Sequence, residues 1–307
     1  MDKPFRDADQ LIELLENRNL IIEDKQLAGK LLISNTYYNT VNSYGYLLLD
    51  DSGSYNNATF KELFTIYTLD NEIKHVFFKY LLIIENYFKS ILVYEFSKEY
   101  QNEGNFYLNM ENYNINTKNK VKSVNKVINT VSKIIKKNEN SNPIRHYQKK
   151  YDNLPLWVLI KKIDFGTSYQ MCKNSTLKIQ NNICRSFFDS VNENRYRLTS
   201  LQLNNYIKCF KEIRNICAHA DRLIDHKLQI SVKNYENIRD EFSFSNNKNT
   251  VYDIFIISKI FLSKEQYDIF TKTIRKRFNN FEKKLCHCSI NQILNCYGFP
   301  NDWNKNI

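Results

Sequence analysis

Glycine and proline are scarce in this chain, and their scarcity limits what it can fold into. Only 6 glycines and 4 prolines occur among 307 residues. An all-β protein needs many tight turns, and those turns depend on glycine and proline. Phosphate-binding loops of the dinucleotide and P-loop types need closely spaced glycines, and no two glycines here have that spacing. The sequence therefore predicts an all-α protein with long helices and few tight turns.

Hydrophobic periodicity supports this fold class. Apolar residues recur at intervals of three and four positions, as they do along one face of an α-helix. The longest such pattern covers residues 71–98, where a broad apolar face is expected. Helix signals are weak near 227–244, where the pattern allows one small hairpin. Further helical or apolar segments lie at 9–17, 24–33, 60–69, 118–137, 199–225, 251–262 and 264–285.

The chain has a large excess of positive charge. It contains 44 lysine and arginine residues against 33 aspartate and glutamate residues, which gives a formal net charge of +11. This charge favours a polyanionic partner, with nucleic acid ahead of an anionic membrane. The alternative is that a lysine-rich surface only keeps the protein in solution.

Neither a membrane span nor a secretory signal is predicted. The most apolar run, 76–88, is interrupted by Lys79, Glu85 and Asn86, so it is not suited to a bilayer. The N-terminal residues lack the apolar stretch of a signal peptide, and the seven cysteines are an odd number. These features predict reduced thiols and a cytoplasmic protein.

Residues 118–137 combine an apolar stripe with a positively charged face. No acidic residue occurs between Asn112 and Asn138. On the side opposite the stripe, five lysines share an arc of about 100° at 3.6 residues per turn. They are Lys118, Lys122, Lys126, Lys133 and Lys137. This face is predicted to bind RNA, and the alternative is an ordinary solvated face. The same role is predicted for a second basic group, Lys272, Arg275, Lys276 and Arg277.

A cysteine and histidine cluster near the C-terminus raises the question of a zinc site. It comprises Cys286, His287 and Cys288, followed by Cys296. The Cys-x-Cys spacing is tighter than the usual Cys-x-x-Cys knuckle, and no second knuckle follows. The sequence therefore predicts no metal site, and no other cofactor.

His219 differs from the other four histidines because Arg214 and Asn215 precede it. Asn215 and His219 are four residues apart and share a helix face. Arg214 is about 140° from His219 on an ideal helix, but its long side chain can reach the same phosphate. An imidazole that moves a proton beside a guanidinium that stabilises a phosphorane is suited to RNA cleavage. The alternative is that Arg214 and His219 only cap or pair at a helix end.

Cys217 lies between these residues. It is two positions from His219 and therefore on the opposite side of the helix, so a Cys–His nucleophilic pair is not expected. A small buried side chain is the expected role of Cys217.

The segment from Arg214 to His219, followed by Asp221, Arg222 and Leu223, resembles a known family signature. The family is the Abi family of bacterial phage-abortive-infection proteins, of the AbiD/AbiF type, whose signature is a variant of the HEPN motif. The likeness covers about residues 3–223. Further similar segments occur in the family's order: Lys3-Pro4-Phe5, Asn35-Thr36-Tyr37-Tyr38, Tyr44, Tyr67-Thr68-Leu69-Asp70, Ile84-Glu85, His146-Tyr147, Leu154-Pro155-Leu156-Trp157-Val158 and Phe165-Gly166.

The resemblance implies a HEPN-like helical bundle with additional N- and C-terminal helices, an RNA-directed activity and a role in phage defence. Residues 1–307 would form one domain, with a HEPN-like core at about 60–230 and a basic helical extension at about 251–307. HEPN ribonucleases generally act without a metal and build their site from two motifs. The single motif here therefore implies a homodimer. Relatives also resemble toxin–antitoxin systems in which a structured noncoding RNA restrains the protein.

HEPN sites often use an acidic residue on a preceding helix to orient the motif arginine, which implies this role for Glu85. A carboxylate at the edge of an apolar helix face needs a partner. Either Arg214 or Lys89, one turn further on, can supply it. The resulting expectation is a metal-independent endoribonuclease that uses Arg214, Asn215, His219 and Glu85. The alternative is a non-catalytic protein that forms a ribonucleoprotein with a structured noncoding RNA.

Overall fold

The computed structural model describes residues 5–151, 153–191, 193, 195–219, 221–233 and 243–303. Over these residues the chain forms helices and no β-strand, so the predicted all-α class is confirmed. The helices are α1 (Ala8–Glu16), α2 (Lys25–Asn35), α3 (Phe60–Glu99), α4 (Lys118–Asn138), α5 (Asn142–Tyr151), α6 (Leu156–Leu159), α7 (Phe165–Asn174), α8 (Leu177–Ser190), α9 (Ser200–Ala218), α10 (Val251–Phe261), α11 (Lys264–Glu282) and α12 (Ile290–Tyr297).

The longest helix, α3, is the element against which most of the others pack. It has 40 residues and no internal glycine or proline, and it is about 60 Å long at 1.5 Å per residue. Thr59 caps its start by accepting a hydrogen bond from the Glu62 N–H at 3.1 Å. Helices α6, α7, α8, α9 and α11 all contact it. The C-terminal helices are therefore part of the same packed core as the predicted 60–230 region.

The structure joins two predicted helices at Asp70. The sequence pattern separates 60–69 from 71–98, with Asp70 between them. In the structure the helix continues, since partners from other segments satisfy this buried carboxylate. Asp70 accepts hydrogen bonds from the hydroxyls of Tyr44 and Tyr297, each at 2.6 Å. It also accepts from the backbone N–H groups of Leu223 at 3.1 Å and Ile224 at 2.9 Å.

Lys74, one turn further along α3, binds the same segment of chain after α9. Its ammonium donates to the carbonyl oxygen of Asp221 at 3.0 Å and lies 3.8 Å from an oxygen of Asp70. Burial, reinforced by the Asp70 carboxylate, raises the pKa of both Tyr44 and Tyr297 well above the usual value, so both phenols remain donors. The chain that follows α9 is therefore bound to α3 at Asp221, Leu223 and Ile224.

The cysteine and histidine segment is bound to α3 through its backbone. One carboxylate oxygen of Glu62 accepts from the N–H groups of Cys286 and His287, both at 2.8 Å, and of Cys288 at 3.0 Å. The His287 Nδ1 lies 3.0 Å from the other oxygen. Burial opposes ionisation, but these hydrogen bonds outweigh it and hold the pKa of Glu62 below its usual value. No cluster suited to a metal ion occurs within the described ranges.

The structure differs from the sequence prediction at the end of α9. The sequence predicts a helix over 199–225, but the backbone leaves the helix at His219, whose ψ is 171°. The tertiary bonds to Asp70 and Lys74 hold the following residues in a non-helical connection. Of the predicted hairpin near 227–244, residues 234–242 lie outside the described residues, and 227–233 and 243–244 form no strand.

None of the described helices combines the length and apolar character of a membrane span.

We predict that Asp70→Ala destabilises the fold strongly. The substitution leaves two phenols, two backbone N–H groups and the Lys74 ammonium without their shared buried acceptor. Removing one partner from a buried charged network costs about 3–5 kcal/mol. The measurement is the free energy of unfolding in urea. The exposed Asp51 supplies the control, since Asp51→Ala should change it by less than about 0.5 kcal/mol. Equal losses in the two variants would contradict this prediction.

Candidate functional site

Helix α9 places three of the four predicted catalytic residues at its C-terminal end: Arg214, Asn215 and His219. The N–H of Thr199 donates to the Gln202 side chain at 2.8 Å and so caps the start of the helix. Along its length, one face is fully buried against α3, α7, α8 and α10, and Phe210 and Ile213 end this face before the motif. With that face inward, Arg214 lies at its border and Asn215 points to solvent.

Glu85 on α3 binds both of the cations that the sequence offered as partners. Its Oε2 accepts from Arg214 Nε at 3.0 Å, and its Oε1 accepts from Lys89 Nζ at 2.6 Å. The Glu85 side chain is 5% exposed, whereas that of Arg214 is 25% exposed. The carboxylate is therefore a buried support, and the guanidinium extends from it towards the surface. Two cations against one anion leave a net positive charge at this point.

The contacts of Arg214 leave part of its guanidinium open. Nε is bound to Glu85, and Nη1 donates to Asn215 Oδ1 at 3.2 Å. Nη2 makes no hydrogen bond with any residue in the ranges that the structure describes. A guanidinium held at Nε and open at Nη2 presents fixed donors to an anion, and phosphate oxygens suit this geometry.

His219 lies just beyond the last residue of α9. Its N–H donates to the carbonyl oxygens of Asn215 at 3.1 Å and Ile216 at 3.3 Å, so the backbone register of the helix continues to this residue. The imidazole is exposed, and it makes no hydrogen bond with the residues of the described ranges. The structure therefore connects Glu85, Arg214 and Asn215 directly, and places His219 about one turn further along the same helix axis.

Cys217 is buried, as expected from the sequence. Burial raises the pKa of its thiol far above the usual value, with the nearby Asp70 carboxylate acting in the same direction. A buried thiol that stays protonated contributes to packing and does not act as a nucleophile.

The lysine row, comprising the five predicted RNA-binding lysines of α4, is fully exposed. Val124, Val127 and Val131 bury the opposite side of the helix. Each side chain of the row is open to solvent: Lys118, Lys122, Lys126, Lys133 and Lys137. At 1.5 Å per residue the row extends over about 28 Å. It therefore offers an extended run of positive charge.

The second predicted basic group, on α11, is only partly available. Lys272 and Lys276 are exposed, whereas Arg275 is half-buried. Arg277 forms an ion pair with Glu72 of α3, with Nη1 2.9 Å from Oε2. Part of this group therefore fastens α11 to α3.

Sequence reasoning missed Lys211 and the connection after His219. Lys211 is three residues before Arg214 and four before Asn215, so it lies on the same face of α9. Its spacing from the motif was the available signal. The role of Asp70 was not evident, because its partners Leu223, Ile224 and Tyr297 are all more than 150 residues away in sequence.

Comparison with known proteins gives one family. A family model described as Abi-like protein matches residues 30–225, more than half of the chain. The match includes α3 from its start to its end and all of α9. Searches of curated proteins and of solved structures find no significant match.

We predict a measurable coupling between Glu85 and Arg214. In a double-mutant cycle with Glu85→Gln and Arg214→Gln, the interaction free energy should be about 1–3 kcal/mol, because the contact is close and largely buried. Urea unfolding of the four proteins measures it. The exposed pair Glu99–Lys178, whose atoms are 2.7 Å apart, is the matched control. Its cycle should give less than about 1 kcal/mol, and equal coupling in both cycles would refute the prediction.

Proposed function

The chain belongs to the Abi-like protein family, which suggests a role in phage resistance, and we propose that it acts there as a HEPN-type endoribonuclease. Its substrate is RNA, and a structured noncoding RNA restrains it. The observation that carries the proposal is the buried Glu85 carboxylate that holds Arg214 at Nε. This contact leaves the guanidinium partly exposed beside Asn215, about one helical turn before the exposed His219.

The chemistry follows from what these side chains can do. The 2′-oxygen of a ribose attacks the adjacent phosphorus, the bond to the 5′-oxygen breaks, and a 2′,3′-cyclic phosphate forms. The 2′-OH loses a proton and the leaving 5′-oxygen gains one. His219 serves one of these transfers, since an imidazole can both accept and donate a proton. Arg214 stabilises the negative charge that develops on the phosphorane oxygens.

The proposed site needs two copies of the chain. Each chain contributes one His219, whereas in-line cleavage moves two protons at opposite sides of the phosphorus. The exposed position of His219, beyond the end of α9, leaves it accessible to the same region of a second copy. A homodimer in which two α9 ends face each other would therefore complete the pair.

The lysine row supports the proposal that a noncoding RNA binds this protein. Neutralising phosphates with lysine supplies most of the sequence-independent affinity for a nucleic acid. A row of about 28 Å at 1.5 Å per residue is longer than a single phosphate needs, and it suits an extended RNA.

We predict that His219→Ala abolishes cleavage and preserves binding. Loss of a general acid–base group lowers the rate by about 10²- to 10⁴-fold. The fold should survive, because the His219 side chain is exposed. The measurement is cleavage of RNA by purified protein with EDTA present, with the product ends mapped. His146→Ala, at an exposed histidine of α5, is the control and should cleave like the wild type.

Three results of this assay have distinct meanings. A 2′,3′-cyclic phosphate made by the wild type and not by His219→Ala supports the proposal. Equal cleavage by both proteins refutes the role of His219. No cleavage by the wild type, together with tight binding of one structured RNA, refutes the nuclease and favours the alternative, a non-catalytic ribonucleoprotein.

The lysine row predicts a salt-dependent affinity. For single-stranded RNA, each lysine–phosphate pair contributes about 0.7 to the slope of log K against log salt concentration. The variant Lys118→Gln/Lys137→Gln removes two such pairs and should therefore have a slope smaller by about 1.4. Filter binding between low and high salt measures it. The control variant is Lys30→Gln/Lys264→Gln, which removes the same charge from exposed positions on α2 and α11. An equal change of slope in both variants would contradict a specific role for the row.

A further inference from the structure

A polar cleft lies between α4 and α9, and we infer that it binds a single RNA strand and leads it to Arg214. This inference rests on the proposed function and adds to it the route and the form of the RNA. The cleft has a volume of about 400 Å³. Lys126 and Thr130 of α4 form one wall, Lys211 of α9 forms the other, and Gly166 and Gln170 of α7 lie between them. We call this space the α4–α9 cleft.

Helix α7 explains how the two walls come to face each other. Both α4 and α9 pack against α7, which lies between them. Gly166, in the first turn of α7, has no side chain to occupy the space. A Cβ built there would be 3.7 Å from Cδ of Lys211. The aliphatic part of Lys211 therefore lies over the start of α7, and Lys211 lines the cleft from the α9 side.

Two lysines against one carboxylate leave a net positive charge in the α4–α9 cleft. The one acidic residue that lines it, Asp164, already serves as the N-cap of α7. Its carboxylate accepts from the Thr167 N–H at 2.9 Å and the Thr167 hydroxyl at 2.7 Å. Burial opposes ionisation of Asp164, but these hydrogen bonds lower its pKa below the usual value. The ionised Asp164 occupies the N-terminus of α7 and repels phosphate there, so an incoming phosphate is directed to Lys126 and Lys211.

The position of Lys126 joins the cleft to the lysine row. On α4, Lys122, Lys133 and Lys137 all lie within about 40° of Lys126 at 100° per residue. The row therefore extends along α4 to both sides of the cleft. A small anion needs only one such site, whereas a row of about 28 Å suits a polymer with regularly spaced phosphates.

The position of Lys211 joins the cleft to the proposed catalytic residues. Asn215 follows Lys211 by one turn on the same face of α9. His219 lies eight residues after Lys211, about 12 Å along the helix axis at 1.5 Å per residue. A strand that leaves the cleft along α9 reaches Arg214 and then His219. The cleft volume is typical of a site for a small ligand. It therefore suits about one nucleotide of a single strand, and it is too small to hold an intact duplex.

The test uses an RNA that cannot be cleaved, so that binding is measured separately from catalysis. The ligand is a single-stranded oligonucleotide of roughly 15 nucleotides, within the usual range for single-strand sites, with 2′-O-methyl riboses and one 4-thiouridine. Its affinity is measured for the wild type, for Lys126→Gln/Lys211→Gln and for the equally charged control Lys30→Gln/Lys264→Gln. Thermal unfolding of each protein checks that the fold is intact.

We expect Lys126→Gln/Lys211→Gln to bind roughly tenfold more weakly than the control variant, with a salt slope smaller by about 1.4. Ultraviolet crosslinking of the wild type should map to peptides from α4 and α9. A perfect duplex of the same sequence should compete poorly for these crosslinks. Equal affinities of the two variants, crosslinks elsewhere or equal competition by the duplex would overturn the inference.

These outcomes are separable from a failure of the proposed function. If the wild type binds no RNA, the proposed function itself is refuted. If it binds and cleaves RNA while the two variants bind equally, only the assignment of the α4–α9 cleft is refuted.

Discussion

Buried carboxylates along α3 are the constraint on which the rest of the structure depends. A carboxylate inside a protein is costly unless it is hydrogen-bonded or paired. Helix α3 carries four, and a distant segment satisfies each of them. Glu62 binds the backbone from Cys286 to Cys288, Asp70 binds the chain after α9, and Glu85 binds Arg214. Glu95 accepts from the Ser186 hydroxyl at 2.6 Å. These bonds fix which parts of the chain lie beside α3 and at which position along its axis.

Two of these carboxylates define the candidate site. Glu85 holds α9 through Arg214, five residues before His219, and Asp70 holds Leu223 and Ile224, four and five residues after it. His219 thus lies between two points that are bound to one rigid helix. Such support limits the movement of the backbone at His219, which is one requirement of a preorganised site.

Much of the fold was accessible to sequence reasoning because it depends on local rules. The helices at 9–17, 24–33, 118–137 and 264–285 are observed to within a few residues, since their apolar spacing and capping residues are local. The boundaries failed where tertiary contacts outweighed local pattern. Asp70 resembles an interruption of α3 and is instead a buried acceptor within it. The helical sequence pattern continues to residue 225, but Asp70 and Lys74 hold Asp221, Leu223 and Ile224 in a non-helical connection.

The sequence by itself determined the all-α class, the lysine row and the presence of Arg214, Asn215 and His219 in one short segment, because composition and helical periodicity are properties of neighbouring residues. It left open whether Glu85 pairs with Lys89 or Arg214. Only the tertiary structure decided that it binds both, with one cation on each carboxylate oxygen. Only the tertiary structure, likewise, brought Lys211 opposite Lys126. These contacts depend on which helix faces pack together. The packing of the faces is set by the burial of all the apolar surfaces of the core, which no local segment of the sequence determines.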